Sequence, residues 1–131
     1  MKTIISALFA FVTVSLAFNG HTAEVIANSA TKITPNDLRD IYVGEMTAVA
    51  GVRLMPLDNS AAQAKFTQVV LKLETRKYQA IWIKKAFRDG LTEPAMKSSD
   101  AEVIDIIKKT PGAVGYIEGT APAGVVSILK Y

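Results

Sequence analysis

Ser99-Asp100-Ala101-Glu102-Val103-Ile104-Asp105-Ile106-Ile107-Lys108-Lys109-Thr110-Pro111-Gly112-Ala113-Val114-Gly115-Tyr116-Ile117 changes from a helical to a strand period, and the fold class turns on that change. Ser99 followed by Glu102 has the capping-box pattern that satisfies the first amides of a helix. Val103, Ile106 and Ile107 form one apolar stripe. Lys108 and Lys109 suit the negative C-terminal end of the helix dipole. Pro111-Gly112 stops the helix, and 113–117 reads as a strand. Gly115 inside that strand marks a close backbone approach, to a packed element or to a ligand.

Upstream of this unit the same alternation recurs. Val25, Ile26 and Ala27 form a short buried strand. Thr34 is a good N-cap, with Pro35 at the first helical position and Asp37 three residues after the cap. Ile33 and Leu38 flank it at hydrophobic-staple spacing. That helix is expected to run to about Val43, with Gly44 as its stop. A loop over 45–51 leads to a strand over 52–57. Asp58-Asn59-Ser60 reads as a turn and a helix cap, opening a helix over 61–73 with Phe66, Val69, Val70 and Leu73 on one face. Thr75 caps a further helix over 76–88, in which Tyr78, Ile81, Trp82 and Ala86 share an arc. Residues 91–98 read as a loop, and 125–129 as a last strand after a Gly/Pro turn around 119–124. Strands alternating with helices predict an α/β fold: one three-layer-like domain with a mainly parallel sheet and helices on its faces.

The N-terminus reads as an export signal. Lys2 precedes an apolar run over 4–17, too short for the roughly 20 residues that a membrane span needs. Cleavage is expected after Ala23, with Ala17 as the competing site, so 1–23 is a signal peptide and 24–131 the working domain. The chain has a formal charge of +3, and losing Lys2 leaves one charge fewer, a balance that does not suggest a nucleic-acid partner. No later apolar run approaches a membrane span, so the domain is not expected to be membrane-embedded. There is no cysteine, so neither disulfides nor a lipidated N-terminus is available. An unanchored exported domain of this kind fits the periplasm.

Enzymatic chemistry finds no support. The one histidine, His21, lies inside the signal, which removes His-based triads and the usual zinc sites from 24–131. No phosphate loop or dinucleotide fingerprint is present, and no cofactor or metal is expected. Binding has two candidate surfaces. At Asn59, Ser60, Ala61 and Ala62 a strand gives way to a helix N-terminus, whose free amides and positive dipole end can hold an oxyanion; a simple helix cap accounts for the same residues. Asp58 beside it would repel an anion. Lys77, Lys84 and Arg88 cluster on one helix face, either as solvated surface or facing a partner. Trp82, with Tyr78 and Phe87 nearby, is expected in the core, a ligand platform being the other use of such a side chain.

Several of these segments together resemble the phosphate-type periplasmic solute-binding proteins, in particular their short single-domain members. Asp37-Leu38-Arg39-Asp40-Ile41-Tyr42-Val43-Gly44 resembles their segment after the first strand. Val52-Arg53-Leu54-Met55-Pro56-Leu57 resembles their next strand, followed by an aromatic at Phe66. Trp82, Phe87, Gly90 and Pro94 match a spaced run. Ser98-Ser99-Asp100-Ala101-Glu102-Val103 and Pro111-Gly112-Ala113-Val114-Gly115-Tyr116 match the most specific part. The resemblance implies a PBP-like domain, one lobe of a type II periplasmic binding protein, where two lobes close on one phosphate and deliver it to an ABC permease. In that lobe the family's contacts come from an Arg followed by Ser-Gly-Thr. Ser60 matches the Ser, whereas Ala61 and Ala62 stand for Gly and Thr, and Pro56 for the Arg. The resemblance therefore implies a solute-binding-like module taking phosphate or another small oxyanion weakly for an ABC-type uptake system. The alternative is a ligand-free interaction protein docking on a membrane sensor or envelope complex.

Overall fold

A computed structural model describes residues 23–131; the expected signal peptide falls, apart from Ala23, outside the described residues. The elements are β1 (Glu24–Ala27), a 3-10 turn (Pro35–Asp37) leading into α1 (Leu38–Tyr42), β2 (Ala48–Val49), β3 (Val52–Arg53), β4 (Met55–Asn59), α2 (Gln63–Val69), α3 (Thr75–Asp89), β5 (Ala95–Lys97), α4 (Asp100–Lys109), β6 (Ala113–Ile117) and β7 (Val126–Lys130). The main sheet has the order β5-β4-β6-β1-β7. β4 pairs parallel with β5 and β6, while β1 pairs antiparallel with β6 and β7. β4, β5, β6 and β7 therefore point one way and β1 alone opposes them, the mainly parallel α/β arrangement that the alternation of elements predicts.

Side-chain alternation sorts residues to two faces. Val25, Ala27, Val114 and Tyr116 face a cluster containing Leu38, Ile41, Phe66, Leu71 and Trp82, under α1, α2 and α3. Ile26, Leu57, Ala113 and Ile117 face Val103 and Ile107 of α4. β1 and β6 are buried along their whole length, as central strands covered on both sides must be.

The local signals around α1 and α4 act as the sequence predicts. The Asp37 carboxylate accepts from the Thr34 amide at 2.8 Å, closing the capping box. The Ser99 hydroxyl accepts from the Glu102 amide at 3.3 Å. Gly44 turns at φ +77° after α1, where a Cβ would lie 2.9 Å from the Trp82 ring.

Four boundaries differ from expectation. The loop over 45–51 and the start of the strand over 52–57 form a separate hairpin, β2 with β3, whose two-residue turn Ala50-Gly51 has φ of 48° and 78°. Paired positive φ values give the turn a twist that matches its strands. β4 continues through Asp58 and Asn59, because those residues pair with Met96 and Lys97 of β5 inside the expected 91–98 loop. The helix expected over 61–73 shrinks to Gln63–Val69, with the left-handed Lys72 (φ 55°) beyond it. Thr75 is the first residue of α3 and Glu74 its N-cap, with the Thr75 hydroxyl 2.9 Å from that of Thr67.

Candidate functional site

The end of β4 and the turn after it carry the predicted oxyanion residues, and the turn amides are already engaged. The Ser60 amide donates to the Lys97 carbonyl at 2.9 Å and the Ala62 amide to the Asn59 carbonyl at 3.0 Å. The Ala61 amide donates to Asn59 Oδ1 at 3.3 Å. Asn59 is fully buried, and its Nδ2 donates to Asp100 Oδ1 at 2.8 Å and to the Tyr116 carbonyl at 3.1 Å. It therefore knits β4 to α4 and β6 and does not cap α2. The cap position falls to Ala62, which has no side-chain acceptor, and α2 begins two residues later than the sequence suggests. Ser60 and Ala61 are exposed and Ala62 is buried.

Asp100, in the first turn of α4, gathers the remaining donors at this edge. Its carboxylate also accepts from the amides of Glu118 at 3.2 Å and Gly119 at 3.1 Å. Three donors from two segments, the end of β4 and the exit of β6, thus converge on one carboxylate of the protein itself. Beside it, a cavity of about 430 Å³ is lined, among the described residues, by Ala23, Ala62, Lys65, Glu118 and Gly119. Lys65 Nζ lies 3.4 Å from the Tyr131 carbonyl and 5.4 Å from the Tyr131 ring centre. The Tyr131 hydroxyl is buried and, among the described residues, unpartnered; burial first, then Asp100 and Glu118, push its pKa up, so it remains a neutral donor. Among the described residues the cavity wall carries Lys65 and Glu118, of opposite charge, and no arginine.

Asp58 does not face this turn. The alternation of β4 carries it to the opposite face of the sheet, 3 % exposed, where it accepts from the hydroxyls of Tyr78 and Tyr116, each at 2.8 Å. Burial pushes its carboxyl up to about 6, the two tyrosine hydrogen bonds pull the other way, and Glu93 adds a smaller upward push. Burial likewise raises both tyrosines, with the Asp58 charge next in weight. Period-2 alternation places Asp58 on the face opposite Leu57, and that face is buried because α1, α2 and α3 cover it.

Lys77, Lys84 and Arg88 are brought together, exposed, on α3. Trp82 is core: it is 4 % exposed and its indole N–H donates to the Tyr42 carbonyl at 2.8 Å. Phe87, expected beside it, is instead 93 % exposed, because it lies on the opposite side of the helix from Tyr78. Gly115 serves packing: a Cβ there would lie 2.6 Å from Val103 Cγ1.

No family model and no curated protein matches the chain. Solved structures do. An ABC-type phosphate transport receptor from Vibrio cholerae is 17 % identical with a TM-score of 0.50, over 82 % of this chain and 45 % of that one. A protein described as a phosphate ABC transporter substrate-binding protein from Clostridium perfringens, with phosphate bound, is 14 % identical with a TM-score of 0.59, over 82 % of this chain and 44 % of that one. The chain spans under half the length of either. At these identities the likeness shows the fold: a mixed α/β unit with a mainly parallel sheet, like a lobe of these binding proteins.

Proposed function

We propose that this domain is a solute-binding-like module of an ABC-type uptake system, acting in the periplasm and taking phosphate or a related small oxyanion weakly. The observation that carries the reading is the fold shared with phosphate transport receptors, one of them with phosphate bound. Weakness follows from the edge at Ser60, where three turn amides have internal acceptors and Asp100 takes the donors of Asn59, Glu118 and Gly119. A few hydrogen bonds of about 1 kcal/mol net, against the ordering cost of association, leave affinity no better than about millimolar, or roughly −4 kcal/mol. Calorimetry with phosphate at low ionic strength should show no saturation in the micromolar range. A micromolar signal abolished by Ser60→Asp would overturn the weak-binding claim and restore a tight receptor. Among the described residues no helix is long and apolar enough to cross a membrane. Mass spectrometry of the native protein should find it beginning at Glu24 or Phe18; intact Met1 in the cytoplasm contradicts the location.

The engaged donors also favour a second reading, a lobe without a ligand of its own that docks on a membrane sensor or envelope complex. Lys77, Lys84 and Arg88 are its contact residues. A phosphate titration without heat, together with loss of a pulled-down partner on Lys84→Glu/Arg88→Glu, separates it from the first.

A further inference from the structure

Helix α3 concentrates the charge of the molecule. Arg76, Lys77, Lys84, Lys85 and Arg88 against Asp89 give it a net +4, where the whole chain is +3, so the remainder sums to −1. Among the described residues only Lys85 of these five is ion-paired, to Glu45 at 2.9 Å. Tyr78 and Trp82 hold the inner side of the helix in the core. At 100° per residue the opposite side presents Arg76, Ala80, Ile83 and Phe87 in one stripe. Ile83 is 70 % exposed and Phe87 93 % exposed, so folding gains nothing from either. Lys77, Lys84 and Arg88 run along one flank. Gln79 and Ala86, both uncharged, occupy the other. Asp89 and Glu45 lie toward the inner flank, where they share a shallow groove with Lys84, Lys85 and Arg88.

We propose that this outer face of α3 rests on an anionic lipid surface, with Ile83 and Phe87 entering the headgroup boundary and Arg76, Lys77, Lys84 and Arg88 meeting the lipid phosphates. A helix with an apolar stripe, low overall hydrophobicity and long basic side chains binds membrane interfaces in this manner. The cations are spread over three turns and not focused on a point, so a planar field of phosphates meets all of them at once. Their aliphatic stems let the charges reach the headgroups while the apolar stripe sinks. The opposite net sign of the rest of the molecule favours this face in the approach to the bilayer.

Co-sedimentation with protein-free vesicles tests this apart from any permease or sensor. The purified protein should pellet with phosphatidylcholine vesicles containing about a third phosphatidylglycerol and stay in solution with pure phosphatidylcholine, and raised salt should release it. Lys84→Glu/Arg88→Glu should weaken binding at least about tenfold, because each basic residue near an anionic surface contributes about one factor of five. Phe87→Ser should weaken it several-fold. Both variants change exposed side chains, and the near-UV signal of buried Trp82 reports that the fold is kept; Lys77→Glu replaces either one that loses it. No binding to anionic vesicles overturns the proposal, and leaves the face to a protein partner. Equal binding to neutral vesicles, or binding unchanged in the charge variant or in Phe87→Ser, overturns it as well.

Discussion

The two faces of the sheet are packed by different means. Under α1, α2 and α3 the core is aromatic, and its polar tips are used. Phe66 stacks on Tyr116 with ring centres 3.9 Å apart, and Tyr42 meets Phe66 edge-on at 4.6 Å. The Tyr42 hydroxyl donates to the Leu57 carbonyl at 2.9 Å, the Trp82 indole to Tyr42, and Tyr78 and Tyr116 to Asp58. Under α4 the cluster is aliphatic: Ile26, Leu57, Val103, Ile107, Ala113 and Ile117. One face is specified by directional bonds and a buried carboxylate, so it should respond to polarity and pH. The other has an aliphatic centre, with the hydrogen bonds of Asn59 and Glu24 at its margin, so it should respond mainly to volume.

The largest effect expected is on the aromatic face. Trp82→Ala removes the bulkiest side chain there together with its hydrogen bond, and should cost about 3–5 kcal/mol in urea unfolding. Trp82→Phe keeps much of the apolar volume and leaves the Tyr42 carbonyl unpaired, so about 1–2 kcal/mol of that loss should remain. If the two substitutions cost the same, the bond and not the packing dominates. A loss below about 1 kcal/mol for Trp82→Ala would remove Trp82 from the core altogether.

Asp58 gives this face its pH dependence. Its carboxyl holds the proton more tightly in the folded chain, at about 6 against 3.8, so folding takes up a proton between those values. The contribution is fully present below about pH 4, falls as pH rises through the window, and is lost above about pH 6, a swing of about 3 kcal/mol. Asp58→Asn should lack it. Unfolding measured at pH 7 and pH 4 should therefore show the native chain gaining about 3 kcal/mol relative to the variant on acidification. An unchanged difference would mean that the tyrosines hold Asp58 charged at no cost.

What the sequence shows of this molecule is mostly local. The Thr34-Pro35-Asp37 start and the Ser99 cap carry their partners within four residues, and the structure keeps them. Asp58-Asn59-Ser60 reads as a turn because each residue favours one, yet pairing with β5, nearly 40 residues away in sequence, extends β4 through the first two. Such tertiary pairing overrides local preference. The same extension sends Asp58 to one face and Asn59 to the other, so the buried carboxylate and the closed solute edge were both hidden by one boundary. Phe87 departs from the expected core for a local reason. Trp82 and Phe87 stand five residues apart, about 500° around the helix, which puts them on different sides.

The smallest expected effects fall on the α4 face and measure its tightness. A Cβ at Gly115 would lie 2.6 Å from Val103 Cγ1, 3.1 Å from Ile107 Cδ1 and 3.6 Å from Leu57 Cβ. Val103 cannot rotate out of the way, because a β-branched side chain in a helix has essentially one χ1 rotamer. The helix itself must then lift, and Gly115→Ala should cost about 1–3 kcal/mol. Gly119, on the same strand's exit, has only Asp100 Oδ2 at 3.5 Å and no positive φ, so Gly119→Ala should stay within about 0.5 kcal/mol. Equal losses at the two glycines would mean that α4 is not held by close approach. The sharper measurement is the double substitution Gly115→Ala/Val103→Ala. Val103→Ala alone opens a cavity, and the new Cβ at 115 occupies part of it, so the pair should cost less than the sum of the singles by about 0.5–3 kcal/mol. Such coupling is what a face specified by volume requires. Additive losses would place the cost of Gly115→Ala in its backbone, and the contrast between the two faces would then rest on the aromatic side alone.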